Sequence, residues 1–235
     1  MKYLFFTLSG LFLFSSCNAQ FGKLLKQVTG QDLSTDDVAN GLKEALSKGT
    51  NKGTDLLSQK DGYFKSIYKI MLPEDAKKVC EKLRPIPGFA SIEDDVIEKL
   101  NRAAEDAEIK AKPIFLNAIK SMSIADAWNI LKGKDNAATQ YLNTTTSEPL
   151  YAEFKPVITE SMEKVGAIQV WSTAVSKYNQ IPFVKKANPD MTDYVTRKAL
   201  EGLFKKIEEE EKDIRHNLSS RTSDLLKKVF SKQDK

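Results

Sequence analysis

The chain has 235 residues, with 36 Lys and Arg, 32 Asp and Glu, one His and two Cys. One imidazole and two thiols are too few for a His/Cys metal site of ordinary ligand number or for a disulfide framework. A formal charge of +4 with both signs intermixed gives no electrostatic footprint for nucleic acid, and 41% hydrophobic with 29% charged residues fits neither a disordered chain nor a polytopic membrane protein.

The N-terminus reads as an address. Lys2 supplies a positive start, and Tyr3 to Phe14 form an uncharged, mostly apolar run of 12 residues. A spanning helix needs about 20, so the run fits a cleaved signal peptide over residues 1–19. Two cleavage readings stand side by side. Phe14-Ser15-Ser16-Cys17 resembles a lipobox, with Phe in place of the usual Leu, which makes Cys17 a lipidation site and the mature N-terminus. Alternatively, Cys17 and Ala19 are the small residues of an ordinary site cleaved after Ala19. Each buried acyl CH₂ contributes about 0.8 kcal/mol, so several chains on Cys17 hold the protein at a membrane where one does not. Residues 20–33 then form a tether to a helical domain over 34–235.

Within that domain helical periodicity recurs and no long alternation suggests a sheet. Ser34 or Thr35 is placed to cap a helix along Val38, Leu42, Ala45 and Leu46, with Gly49, Gly53 and Gly62 weakening or ending it. Tyr63 to Leu72 is a dense apolar run, either a short buried strand or a packed loop. Pro73 opens a short helix through Leu83, and Arg84-Pro85-Ile86-Pro87-Gly88 breaks the chain. Ser91 caps a long helix that the Lys112-Pro113 step breaks or kinks. Ser123-Ile124-Ala125-Asp126 forms a capping box with Asp at its third helical position, launching a helix that stops at Gly133. A short helix from Asn136 to about Asn143 precedes another, capped by Thr146 or Ser147, which Pro156 kinks or splits before Gly166. Val170 to Tyr178 mark a further helix. The longest helix runs from about 190 to 216, its apolar face narrowing so that the second half should project into solvent. A last amphipathic helix covers Thr222 to Phe230, with docking on the domain favoured over an anionic membrane surface. The expectation is a single all-α domain of roughly eight to ten helices, some of them kinked at proline.

Few constellations carry chemistry. Glu208 to Glu211 fan around a helix and read as a solvated face, with Glu208–Lys212 and Glu211–Arg215 as i,i+4 pairs. Cys80 reads as core. His216, near a helix C-terminus, reads as a dipole partner, so no Cys/His nucleophile is assigned. Asn101, Glu105, Glu108 and Lys112 share one helical stripe with Arg102 beside it and Glu98 one turn before, either an Arg/Glu anchor in a cleft, an ion-pair lattice on the helix surface, or a buried Arg–Glu pair fixing helix register. The aromatics Trp128, Tyr141, Tyr151, Phe154 and Trp171 read as core.

Several blocks together resemble a known family: Asn101-Arg102-Ala103-Ala104-Glu105 with Lys112-Pro113-Ile114-Phe115; Ile130-Leu131-Lys132-Gly133 followed by Ala137-Ala138-Thr139-Gln140-Tyr141; Gly202-Leu203-Phe204 with Glu209-Glu210-Glu211; and Leu225-Leu226-Lys227-Lys228-Val229-Phe230. The chain is similar to the bacterial family called domain of unknown function 4197 from about Val38 to Phe230. It departs at Lys134 and Asp135 and between Ser172 and Pro189. The resemblance implies an exported helical domain, often with a signal or lipoprotein N-terminus, and no activity. Asn101, Arg102, Glu105, Thr139 and Tyr141 form the candidate polar cluster.

Three functions follow as expectations. The first is a non-enzymatic protein of the bacterial envelope, periplasmic or at the outer membrane. It would be held by lipid at Cys17, or be soluble if Cys17 is removed, and would have a protein partner or a structural role. The second is a small-molecule or lipid-binding domain with a closed apolar pocket near Pro113 and Pro156. The third is a carboxylate enzyme using Glu105 and Arg102. No cofactor, metal or nucleic acid is expected.

Overall fold

The computed structural model describes residues 33–231, and every regular element in it is helical. In chain order these are α1 (Thr35–Leu57), α2 (Glu74–Leu83), α3 (Ile92–Ala107), α4 (Ala111–Ser121), α5 (Ile124–Leu131), α6 (Ala137–Lys164), α7 (Ala167–Asn179), α8 (Thr192–His216) and α9 (Asp224–Phe230), with 3₁₀ turns at Glu108–Lys110 and Leu218–Ser220. Cys17, the expected signal peptide and most of the expected tether lie outside the described residues.

Two long helices, α6 and α8, pack on each other and organise the rest. α6 also meets α3 and α4, and α1 lies against α8, α5, α4 and α9. The core between them is aliphatic, with Leu42, Leu100, Leu142, Leu150, Ile158 and Leu203 excluded from solvent. Phe115 of α4 meets Phe204 of α8 edge to face, with centroids 5.8 Å apart.

Local signals set several boundaries as expected. The Ser123 hydroxyl accepts from the Asp126 N–H, and the Asp126 carboxylate accepts from the Ser123 N–H, closing both sides of the box. Pro73 stands just before α2, and Gly166, at φ 72°, separates α6 from α7. The Tyr63–Leu72 run is a packed loop of turns and not a strand.

Other boundaries need correction. α1 continues through Gly49 and Gly53 to Leu57. A Cβ at Gly49 would touch the Glu210 side chain at 3.4 Å, and one at Gly53 would touch Lys206 at 3.5 Å. With Gly41 and Ala45 these glycines form a small-residue line at i,i+4, so they mark close helix crossings and not a helix end. α6 is one helix of 28 residues, neither split at Pro156 nor interrupted after Asn143. Pro149 and Pro156 deprive the Thr145 and Ala152 carbonyls of their intrahelical donors. All four residues are exposed on one side of the helix, where water takes over as donor. The break between α3 and α4 falls at Glu108–Lys110, before Pro113. Pro113 is the third residue of α4, where no intrahelical donor is required. The carbonyl it cannot serve belongs to Ile109, in the middle of the 3₁₀ turn. Finally, the second half of α8 does not project into solvent, since Glu210, Glu211, Ile214 and Arg215 are buried.

Candidate functional site

The polar stripe of α3 faces the 58–72 loop. Asn101 is fully buried: its Oδ1 accepts from the Ile70 N–H at 2.8 Å, and its Nδ2 donates to the carbonyls of Ile70 (2.8 Å) and Ile97 (2.7 Å). Glu105 Oε1 accepts from the backbone N–H groups of Tyr63 and Phe64, both at 3.1 Å. Its Oε2 accepts from Arg102 at 2.8 Å. Arg102 also pairs with Asp61 at 2.7 Å and Glu98 at 3.3 Å, and lies over the Phe64 ring. Asp61 sits at φ 73°, a left-handed conformation that L-residues seldom adopt. The Arg102 guanidinium beside it holds its carboxyl below the usual range. Asn101, Arg102 and Glu105 therefore act as braces that supply partners to a loop lacking regular hydrogen bonding. The Glu105 side chain is only 6% exposed.

One turn further, Glu108 is fully buried beside the Tyr63 hydroxyl. That hydroxyl also lies 2.7 Å from the Ala199 carbonyl. A phenol has one proton and cannot donate to both oxygens. Burial pushes the Glu108 carboxyl up to about 8, against a smaller opposing effect of the Tyr63 bond. At neutral pH Glu108 is therefore a neutral acid that donates to the Tyr63 oxygen, while Tyr63 donates to Ala199. Its Oε2 has no hydrogen-bond partner among the described residues, an orphan far less costly on a neutral acid than on a carboxylate. The Tyr63 ring reaches this place because Gly202 leaves room, since a Cβ there would come 2.7 Å from the ring.

The rest of the predicted cluster lies elsewhere. Thr139 belongs to a second network centred on Glu211 and Arg215 of α8. Glu211 Oε1 accepts from the Ala138 N–H at 2.9 Å, and Oε2 accepts from the Thr139 N–H and hydroxyl, both at 2.8 Å. The carboxylate thus caps the N-terminus of α6, where Asn136 provides no side-chain cap. Arg215 pairs with Glu211 at 2.8 Å and donates to the carbonyls of Ile130 (2.9 Å) and Leu131 (3.3 Å), capping the C-terminus of α5. Arg221 is fully buried and donates to the carbonyls of Ile214 (2.9 Å) and Arg215 (2.7 Å) at the end of α8. Tyr141 is half-buried, its phenol raised by burial and by Asp126, and it does not join Arg102 and Glu105. The five candidates do not form one cluster.

The glutamate run is corrected accordingly. Glu208 pairs with Lys212 at 2.6 Å as the spacing predicts, and Glu209 accepts from the Tyr68 hydroxyl at 2.5 Å. Glu210 and Glu211 face inward, Glu210 bound by Lys52 and Lys206, both at 2.7 Å. Each keeps an i,i+4 partner on α8 itself, Lys206 for Glu210 and, as the spacing predicts, Arg215 for Glu211. What the local sequence does not display is the partners from other helices, Lys52 of α1 and the Ala138 and Thr139 amides of α6.

Cys80 is buried, and burial pushes its thiol up to about 11, the opposite of nucleophile activation. His216 is exposed and pairs with Asp135 at 2.9 Å, far along the chain from Cys80. Phe154 and Trp171 are core, while Trp128, Tyr141 and Tyr151 are half-buried. Among the described residues no His, Cys, Asp and Glu group fits a metal ion, and no helix is long and apolar enough to cross a membrane. An apolar cavity under Arg215, lined by Leu42, Leu46, Ile207 and Phe230, has a volume of about 20 Å³, room for one water. Near Pro113 and Pro149 an open groove of about 740 Å³ runs between α4 and α6.

A family model described as "Protein of unknown function (DUF4197)" matches residues 32–231. No curated protein and no solved structure matches the chain.

Proposed function

The chain belongs to the family described as Protein of unknown function (DUF4197), and we propose that it serves as an exported envelope protein, carried on lipid at Cys17 and acting through its surface. Its work would be association with a partner or structural support, and not catalysis. The observation that carries this reading is the fate of the polar residues. Arg102, Glu105, Glu108, Glu211 and Arg215 all close contacts inside the fold. The braces on the 58–72 loop have an outward consequence, for the loop presents Ile67 (84% exposed) and Met71 (45% exposed) to solvent. A loop held by buried side chains presents such residues in one conformation, which lowers the ordering cost of association.

Attachment rests on the N-terminal pattern: Lys2, the apolar run to Phe14, then Ser15, Ser16 and Cys17. Mass spectrometry of the mature N-terminus, taken separately from membrane and soluble fractions, tests it. The expected product starts at Cys17, carries acyl mass and stays with membranes. An unmodified N-terminus at Gln20 in the soluble fraction would end this part of the reading. The surface role is tested by cross-linking in intact cells with Ile67→Ser and Met71→Ser together. Cross-links should fall while the thermal melt of the protein is unchanged. Undiminished cross-linking would remove the loop as a contact surface.

A further inference from the structure

Between α2, α7 and the entrance to α8 lies a cleft of about 480 Å³, within the size range of small-molecule sites. Its floor is apolar and firm: Ala76 and Val79 from α2, Trp171 from α7 and Met191 just before α8 are all buried. Its outer wall is the 180–191 segment, which has no regular structure of its own. Side chains fix that wall instead. Asn179 Oδ1 accepts from the Ala187 N–H at 2.9 Å, and its Nδ2 donates back to the Ala187 carbonyl at 3.2 Å. The Trp171 indole donates to the Asn188 carbonyl at 3.3 Å, and Lys186 donates to the Asn179 carbonyl. Across the cleft, the Tyr194 hydroxyl is anchored on the Met71 carbonyl at 2.6 Å. The concavity is thus pre-formed.

The charges at its mouth are unequal. Lys78, Lys185 and Lys186 line it together with Asp75 and Asp190. The two acids are engaged: Asp75 faces Lys78 at 3.5 Å, and Asp190 Oδ1 accepts from the Thr192 N–H at 2.8 Å, at the start of α8. Lys185 and Lys186 make no ion pair among the described residues, and the Tyr178 hydroxyl makes no hydrogen bond there. An apolar floor under a mouth of three lysines against two acids, a net positive charge with Lys185 and Lys186 outside any ion pair among the described residues, selects for opposite ends of one molecule.

We propose that this cleft binds an amphipathic anion, a small molecule with an apolar body on Val79, Trp171 and Met191 and an anionic head at Lys185 and Lys186. Burial of the body supplies affinity by removing apolar surface from water. The head forms charge-assisted hydrogen bonds with the two ammonium groups, which fix its orientation. A carboxylate and a phosphate monoester share this chemistry. The site touches the braced loop through the Tyr194–Met71 bond but does not depend on lipid at Cys17.

Trp171 makes the test direct. With Trp128→Phe the chain keeps one tryptophan, on the floor of the cleft. Its emission is followed during titration, below their micellar concentrations, with dodecanoate, dodecyl phosphate and dodecyltrimethylammonium, and separately with acetate. Equilibrium dialysis supplies the stoichiometry. One site per chain is expected for dodecanoate, dodecyl phosphate or both, and the tighter of the two identifies the head. Acetate and the cationic amphiphile should bind at least tenfold more weakly. Lys185→Ala with Lys186→Gln, whose amide still donates towards the Asn179 carbonyl that Lys186 holds, should weaken the anions at least tenfold with the thermal melt unchanged. Equal binding of the cationic amphiphile, binding of acetate as tight as dodecanoate, indifference to the lysine pair, or no saturable site would each overturn the proposal.

Discussion

At the scale of single residues, the most consequential feature is a proton. Glu108 starts a hydrogen-bond chain that runs through the Tyr63 hydroxyl and ends on the Ala199 carbonyl, and the chain needs that carboxyl neutral. Its folded pKa is raised from 4.5 to about 8 by burial. Below pH 4.5 both folded and unfolded chains hold the proton, and the full contribution to stability is present. As pH rises from 4.5 towards 8 the unfolded chain releases the proton and the folded chain keeps it, so stability falls. Above about 8 the buried group is ionised and the contribution is gone. The slope for one proton is about 1.4 kcal/mol per pH unit. Urea unfolding at pH 5, 6, 7 and 8 should show this loss in the native chain. Glu108→Gln should flatten it, because the Gln amide donates to the Tyr63 oxygen and carries no proton to lose. Identical slopes in the two proteins would show that another group controls the dependence. The sequence placed Glu108 on the right stripe, and its spacing from Asn101 and Glu105 was legible. Its partner was not, because Tyr63 stands 45 residues away in a run whose conformation periodicity could not decide.

At the scale of elements, helices begin and end where two kinds of signal put them. Ser123 and Asp126, Pro73 and Gly166 act within one turn, and a sequence displays them. Glu211 and Arg215 act across the fold. They cap the end of α5 and the start of α6 from α8, and the turn between those helices is closed by one ion pair. The same pair accounts for the misread end of α8, where a narrowing apolar face looked like a projection into water. Arg215→Met should be strongly destabilising, by about 3–5 kcal/mol, because it leaves a buried carboxylate without its cation. Adding Glu211→Gln should recover part of that loss by removing the stranded charge. Chemical denaturation of the native, single and double variants gives the coupling. Hydrogen exchange should quicken first at Ala138 and Thr139, the amides that Glu211 holds. Additive losses from the two substitutions would mean that the residues stabilise the fold separately. The glycines of α1 belong to the same lesson. Gly49 and Gly53 are helix breakers by propensity, but their contact with α8 outweighs a cost of roughly 1 kcal/mol each.

At the scale of the whole molecule, the two ends of the described chain are tied together. α9 lies against α1, and Lys228 pairs with Asp37 at 2.7 Å. Lys48 of α1 donates to the Ser220 carbonyl at 2.6 Å and to Thr222 at 3.0 Å. Phe230 lies under the guanidinium groups of Arg215 and Arg221, so the final helix also covers the buried caps of α5 and α8. Leu226, Val229 and Phe230 are buried. At about 1.5–3 kcal/mol each, their burial is comparable with the roughly 5–15 kcal/mol that separates a folded domain from its unfolded chain. Ending the chain before Asp224 should therefore do more than remove a seven-residue helix. It should lower the melting temperature steeply, and ellipticity should be lost in one transition that includes α1. A milder probe is Gly41→Ala, whose Cβ would come 2.6 Å from Val229 Cγ2. It should destabilise, and Val229→Ala on the far side of the contact should offset part of the loss. An α9 serving as a separate membrane-surface arm would give the opposite result, with truncation leaving the melt in place and Gly41→Ala indifferent to residue 229. The melting curves thus decide whether the terminal lysines decorate a structural clasp or a mobile anchor.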